Sequence, residues 1–214
     1  IFVYALFGYV STLDDDLRQW VITKYIINDD TRHMFRHRQR NVNSGTQCII
    51  SNGTIDCNYK ANIAIQNVSF VSIFSNLRIQ NYQYAGILNG TLDGYTYNEG
   101  EVVSTSGIST QTRIDSCYFT RGNDMAERDA SCIFITYPDN NISNCVTNRT
   151  RYGMTLRCGG NSISNTHFTI QYAQLPSLSD YNNANCRVWP FNSGATQLNV
   201  FTNCYFNAGA YVIL

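Results

Sequence analysis

"ISNCVTN", residues Ile142 to Asn148, returns 21 positions later as "ISNTHFT", Ile163 to Thr169. Three further segments repeat the phrase: "FSNLRIQ" (Phe74 to Gln80), "IDSCYFT" (Ile114 to Thr120) and "FTNCYFN" (Phe201 to Asn207). Counting the first apolar residue as position 0, apolar side chains recur at positions 0, 3 and 5. That spacing fits neither a 3.6-residue helix nor one unbroken strand of period 2. A strand ending at position 0, a kink at 1 to 2 and a new strand from 3 fits well. The kink lands on Asn76, Ser116, Asn144, Asn165 and Asn203. Asparagine enters left-handed backbone angles more easily than most residues and bonds to local backbone, so a sharp bend between strands suits it.

Successive copies start 40, 28, 21 and 38 residues apart. A coil of about 20 to 25 residues carrying loops of variable length accounts for these intervals. The loops are then "DGYTYNEGEVVSTSGISTQ" (Asp93 to Gln111), "RGNDMAERDAS" (Arg121 to Ser131) and "QYAQLPSLSDYNNANC" (Gln171 to Cys186). Position 3 holds Cys117, Cys145 and Cys204, with Leu77 and Thr166 in the other copies. One column of Leu, Thr and Cys predicts inward-facing side chains and buried thiols, because a thiol packs as a small hydrophobe whereas a bridge demands strict Cα and Cβ geometry. The sequence does not decide between thiol and disulfide for Cys48, Cys57, Cys132, Cys158 and Cys186. With no Cys-x-x-Cys pair, and with His33, His37 and His167 far from paired cysteines, a structural zinc site is not expected.

The chain has 214 residues, no formal net charge and only 14% charged residues. It therefore has no overall field to attract nucleic acid or an anionic membrane. Asn, Ser, Thr and Tyr supply the polarity. Two lysines stand against thirteen arginines, and Arg is the better planar partner for carboxylates. The basic cluster "RHMFRHRQR" (Arg32 to Arg40) directly follows Asp29 and Asp30, which compensate it, so no nucleic-acid partner is expected. Residues 11–27, "STLDDDLRQWVITKYII", predict a short amphipathic helix. Ser11 or Thr12 caps it, Asp14 to Asp16 sit at its positive end, and Leu13, Leu17, Trp20 and Val21 share a face. The opening "IFVYALFGYV" is too short to span a bilayer and lacks a basic region before it, so it reads as a buried strand. The first residue, Ile1, and the closing "GAYVIL" read as a piece cut from a longer chain.

A second repetition is Asn-Gly-Thr-(Ile/Leu)-Asp, at Asn52 to Asp56 and Asn89 to Asp93. Its Asn-Gly favours a turn with positive backbone angles, and its Asp can end a strand by bonding local backbone. Both copies are also Asn-x-Thr acceptors, and with Asn67, Asn141 and Asn148 they make five possible glycosylation sites, about the number expected by chance in so Asn-rich a chain.

Together "NGTIDCN", the following "NVSFVSIFSNLRIQNYQYAGI" and the later Ile-Ser-Asn-x-x-Phe copies resemble the right-handed parallel β-helix of the pectate lyase-like superfamily, which includes pectate lyases, polygalacturonases and bacteriophage tailspikes. The resemblance covers roughly residues 45 to 214. It implies an all-β solenoid (residues 45–214) whose bend asparagines stack into a ladder, with an N-terminal cap segment (residues 1–44) whose short helix closes the open end. It further implies an extracellular or virion-surface protein that recognises and can cleave polysaccharide or cell-surface glycan, and that can assemble as a homotrimer or fibre. The alternative is a non-catalytic structural or adhesive module. The polygalacturonase pattern is incomplete: there is no Gly-His-Gly, no Arg-x-Lys, and Asp29-Asp30 precedes the repeats.

Two loops carry the candidate chemistry. In the first, Asp124, Glu127 and Asp129 lie beside Arg121 and Arg128. Those carboxylates could hold calcium, pair as acid and base for glycoside hydrolysis, or neutralise their neighbours. In the second, Asp93, a further catalytic candidate, stands with Glu99 and Glu101 beside Tyr95 and Tyr97, an arrangement suited to stacking sugar rings while accepting hydroxyl hydrogen bonds. Arg149, Arg151 and Arg157 could bind acidic sugars, serve as a lyase base or lie on exterior strands, and His167 should face outward.

Overall fold

The computed structural model describes residues 17–21, 24–26, 33–38, 47–68, 71–90, 95–98, 101–104, 110–121, 130–169, 184–188, 198–207 and 211–213. Every regular element among them is a strand, and nearly all belong to two parallel sheets visited in turn. β1 (Leu17–Val21) and β2 (Lys24–Ile26) lie in the first sheet and β3 (His33–Arg38) in the second. β4 (Gln47–Asp56) and β5 (Ile63–Val68) repeat that order, as do β6 (Ile73–Gln80) and β7 (Ala85–Asn89). An antiparallel hairpin, β8 (Tyr95–Asn98) with β9 (Glu101–Ser104), then interrupts the sequence.

Beyond the hairpin each first-sheet visit is split at its bend. β10 (Arg113–Asp115) and β11 (Tyr118–Thr120) are followed by β12 (Ser131–Ile135) in the second sheet; β13 (Asn141–Ser143) and β14 (Val146–Asn148) by β15 (Tyr152–Leu156). β16 (Ser162–Ser164) and β17 (His167–Thr169) precede β18 (Ala184–Val188), and β19 (Val200–Thr202) and β20 (Tyr205–Asn207) precede β21 (Tyr211–Ile213). Each strand pairs in parallel with its counterpart one coil along, an all-β arrangement compatible with a parallel β-helix.

The register aligns the sequence phrase with itself. Phe74 pairs with Ile114, Ile114 with Ile142, Ile142 with Ile163 and Ile163 with Phe201. Ile50 pairs with Phe74, which makes "ISNGTID" (Ile50 to Asp56) a sixth copy. Position 0 is buried through Ile50, Phe74, Ile114, Ile142 and Ile163, and position 5 through Ile55, Ile79, Phe119 and Phe168. Burying each such side chain contributes about 1.5–3 kcal/mol, so the two columns form the main hydrophobic core. Position 3 is the predicted inward column: Leu77, Cys117, Cys145 and Thr166 are buried and Cys204 is partly so. All eight cysteines are free thiols.

Cys and Thr share this column for a physical reason. Thr166 Oγ1 donates to the Ser164 carbonyl at 3.0 Å, and the Cys117 and Cys145 thiols donate in the same way to the carbonyls of Asp115 and Ser143, at 3.3 and 3.1 Å. A small side chain with one donor fits beside the bend; larger polar groups would not.

One expectation changes. The helix foreseen over residues 11–27 is absent from the described part of that stretch, where β1 and β2 are strands paired along β4. An unpaired β4 would leave a row of backbone donors and acceptors open, and pairing satisfies them in a way that an amphipathic helix cannot. Residues 11–16, 22–23 and 27 lie outside the described residues. The two sheets also take in β1, β2 and β3. Among the described residues no helix is long and apolar enough to cross a membrane.

A second line of polar side chains, not anticipated from the sequence, runs inside the coils at position −2: the hydroxyls of Ser72 and Thr112 and the amides of Asn140, Asn161 and Asn199. Asn140 Nδ2 donates to Asn161 Oδ1 at 2.9 Å, and Asn161 Nδ2 to Asn199 Oδ1 at 2.9 Å. On the other side Asn89 Nδ2 donates to Asn140 Oδ1 at 3.0 Å and Asn67 Nδ2 to Asn89 Oδ1 at 2.6 Å. From Asn67 to Asn161 these side chains satisfy one another in a space closed to water, which is the condition for burying amides without loss of stability.

Candidate functional site

The two sheets differ in what covers them. β7, β12 and β15 are buried at every position, so both faces of the second sheet are closed there. The first sheet alternates, with patterns such as exposed, buried, intermediate in β10, β11, β13 and β16, and so keeps one open face. Beside these three strands, the open face is that of the first sheet.

That face is laid out by the bends. Asn52, Asn76, Ser116, Asn144, Asn165 and Asn203 all have φ between 47° and 61°, the left-handed region that the sequence pattern predicted for position 2. Their side chains pair along the stack: Asn76 Nδ2 donates to Asn52 Oδ1 at 3.2 Å, and Asn203 Nδ2 to Asn165 Oδ1 at 2.7 Å. Asn144 instead donates to Asp115 Oδ1 at 2.9 Å, so a carboxylate takes the place of an amide at Ser116. Asn52 is the member that sequence reading missed. Its Ile-Ser-Asn context was the available signal, obscured by the competing match to the Asn-Gly-Thr-Leu-Asp of residues 89 to 93.

Two positions past each bend, position 4 forms an outward column of Arg78, Tyr118, Val146, His167 and Tyr205. The Arg78 guanidinium lies 5.4 Å from the centre of the Tyr118 ring, and Asn148 Nδ2 donates to the Tyr118 hydroxyl at 3.2 Å. His167 meets the edge of Tyr205 at 4.5 Å between ring centres, and its Nε2 is 2.9 Å from Thr169 Oγ1. His167 thus faces outward, as its repeat position predicts. Tyr205 is 59% exposed. Around this pair Asn165, Thr166, Asn203 and Asn207 complete an open, shallow depression of about 520 Å³, within the ~300–1,000 Å³ range of ligand sites.

Two carboxylates of this face, Asp115 and Asp56, are engaged by donors. Asp115 accepts from Ser143 Oγ at 2.6 Å, from Asn144, and from Ser116 Oγ at 3.2 Å, with the Arg113 guanidinium 3.6 Å away. The Ser143 bond above all, opposed by partial desolvation, holds its carboxyl below the usual range. Asp56 accepts the Asn58 amide at 2.9 Å, the Gln80 amide at 2.6 Å and the Asn81 amide at 2.8 Å, the strand-ending role its phrase suggested. Two coils and five strand positions separate Asp56 from Asp115, on the order of 15 Å from rung and strand spacing. Paired-carboxylate hydrolysis needs a separation of roughly 5–10 Å. Among the described residues no three His, Cys, Asp or Glu side chains come close enough to hold a metal ion.

The residues singled out from sequence fall in several places. Asp93, Glu99, Asp124, Glu127 and Asp129, including the calcium candidates, lie outside the described residues. Tyr95, Tyr97 and Glu101 are on the β8–β9 hairpin, where Tyr97 pairs with Val102 and Glu101 with Asn98. Arg121, expected as a sugar ligand, is 1% exposed and donates from Nε to the Tyr82 carbonyl at 3.0 Å. It directly follows β11 and is a buried cation rather than part of the open face. Arg149 is exposed just after β14 with φ 55°, while Arg151 is half-buried with its guanidinium 5.8 Å from the Tyr152 ring centre. Of the five acceptor asparagines, Asn67 and Asn89 are fully enclosed in the inner amide line, where no glycan could be attached in the folded chain. Asn52, Asn141 and Asn148 keep accessible side chains.

The two copies of Asn-Gly-Thr-(Ile/Leu)-Asp therefore occupy unlike sites: Asn52 at an outer bend of the first sheet, Asn89 at the inner end of β7 in the second. Gly90 has φ 118°, and a Cβ there would sit 1.8 Å from Thr136 Oγ1, so the second copy needs its glycine. No protein-family model matches the chain, and no curated protein and no solved structure matches it.

Proposed function

We propose that the chain is a right-handed parallel β-helix that recognises polysaccharide on the open face of its first sheet, as part of an extracellular or virion-surface protein. The observation that carries this reading is the outward column of Tyr118, His167 and Tyr205 set among amide and hydroxyl side chains. Aromatic faces stack on the apolar faces of sugar rings, while amides and hydroxyls both donate and accept, as sugar hydroxyls do. A chain with no net charge is suited to a ligand recognised by contact rather than by long-range attraction. Free thiols are compatible with an oxidising exterior here, because burial raises the thiol pKa of Cys57, Cys132 and Cys186 and shields the sulfur.

A second reading, a non-catalytic adhesive module of a surface fibre, is favoured by one specific observation: Asp56 and Asp115 are saturated with hydrogen-bond donors and far apart. Catalysis would then rest on the loops of Asp93 and of Asp124 to Asp129. Incubation with a panel of polysaccharides separates the readings. Retention on one of them supports recognition; new reducing ends or unsaturated products support cleavage; retention without products supports adhesion. Failure to be retained by any polysaccharide refutes the proposal.

A further inference from the structure

The open face changes character along the stack. In the earlier coils it carries Asp56, Arg78, Arg113 and Asp115. From β13 onward the outward positions of β13, β14, β16, β17, β19 and β20, with the bends between them, hold only Asn, Ser, Thr, Val, His and Tyr. No Asp, Glu, Lys or Arg occurs there, in a chain where these residues make up 14%. The depression around His167 and Tyr205 lies within this stretch.

Several of its polar groups are also uncommitted. Within the described structure the Asn207 amide and the Tyr205 hydroxyl make no side-chain hydrogen bond, and Asn165 contributes only its Oδ1, to Asn203. Asn165 Nδ2 and Asn203 Oδ1 remain open to a ligand. A donor, an acceptor, a complete amide and an exposed ring thus surround one depression.

From these observations, and resting on the polysaccharide reading above, we propose that the ligand is a neutral glycan, seated against Tyr205 and His167 and running along the stack toward Tyr118. An anionic chain would lose hydration at the depression and meet no cation among its lining residues, whereas sugar hydroxyls match amides group for group. The column from Tyr118 to Tyr205 spans three coil steps, about 14 Å at strand spacing, which accommodates a run of sugar rings rather than a single ring.

The test is titration of the full 214-residue chain with neutral chains (dextran, a β-glucan, a galactomannan) and acidic chains (polygalacturonate, alginate, hyaluronan), at low and high sodium chloride. The expected result is binding to a neutral chain that is insensitive to salt. Tyr205→Ala and, separately, Asn207→Ala should weaken it about tenfold or more, with far-UV circular dichroism unchanged because both residues are exposed. Preference for an acidic chain with salt-sensitive binding overturns the neutral-ligand inference and leaves the polysaccharide reading standing. Wild-type affinity in both variants overturns the placement in the same way. Absence of binding to every chain overturns both.

Discussion

Asn140 is the residue on which the inner amide line turns. Its Oδ1 accepts from Asn89 Nδ2 at 3.0 Å and from the Thr112 backbone N–H at 3.0 Å, while its Nδ2 donates to Asn161 Oδ1 and to the carbonyls of Tyr137 and Pro138. Asn140→Ala leaves two donors, Asn89 Nδ2 and Thr112 N–H, without that acceptor, in a place where the side chain is only 2% exposed. Each orphaned buried donor costs about 1–3 kcal/mol, so roughly 2–6 kcal/mol is lost if the space stays dry. Water entering the vacated volume would hold the loss near the lower half of that range, about 2–4 kcal/mol. Total stabilities of folded domains are about 5–15 kcal/mol, so the loss is readily measured. The assay is urea unfolding followed by tryptophan fluorescence and circular dichroism, with Asn141→Ala as the neighbouring control. Asn141 is exposed, so its change should fall within about 0.5 kcal/mol of wild type. Equal, small effects in the two variants would refute the claim that the amide line is a dry and mutually dependent network.

Three other outcomes follow from the same physics. Cys145→Thr should cost less than about 1.5 kcal/mol in urea unfolding, because Thr166 already fills the equivalent place one coil on, whereas Cys145→Asp should prevent folding by burying an unpaired charge. Stability should decline as pH rises above about 9, the ordinary thiol value. Folded pKa values are raised at Cys57, Cys132 and Cys186 by burial, at Cys145 by hydrogen bonding with the Cys117 thiol and by burial, and at Cys158 by burial to about 11. A raised folded value means that the unfolded chain loses its thiol protons first, so stability is complete below the unfolded value and fades above it; a flat melting temperature from pH 8 to 10.5 would contradict this. Gly153→Ala should lower stability by about 1–3 kcal/mol, since a Cβ there would stand 2.6 Å from the Asn185 carbonyl and 2.8 Å from Phe168 Cδ1, both fixed in the core; an unchanged melting curve would show that the coils can move apart.

What could be read beforehand varied with the kind of interaction. The bend, the inward thiol column and the register of five phrase copies were legible because each depends on residues a few positions apart. Ile50 to Asp56 escaped because two local patterns overlapped on the same residues, and only pairing with Phe74 chose between them. The inner amides were visible as a polar residue two places before each copy, but nothing local says whether such a residue faces in or out. The segment at residues 17–21 shows the same limit. Its apolar spacing served a helix, yet the exposed edge of β4 needed a partner, and that need exists only once β4 is in place.

For the site the division is sharper. Sequence directed attention to acidic loops, because charged residues crowded into a few positions are conspicuous in one dimension. The aromatic column was not, since Tyr118, His167 and Tyr205 are 49 and 38 residues apart. Stacking brings such residues to within a few coil steps of one another, and the same stacking withdraws Arg121, Asn67 and Asn89 into the interior. The sequence by itself determined the repeating bend, which needs only the conformational preference of one residue and the alternation of its neighbours. The tertiary structure alone decided which face stays open and which distant side chains share it, because exposure and proximity depend on how successive coils cover one another.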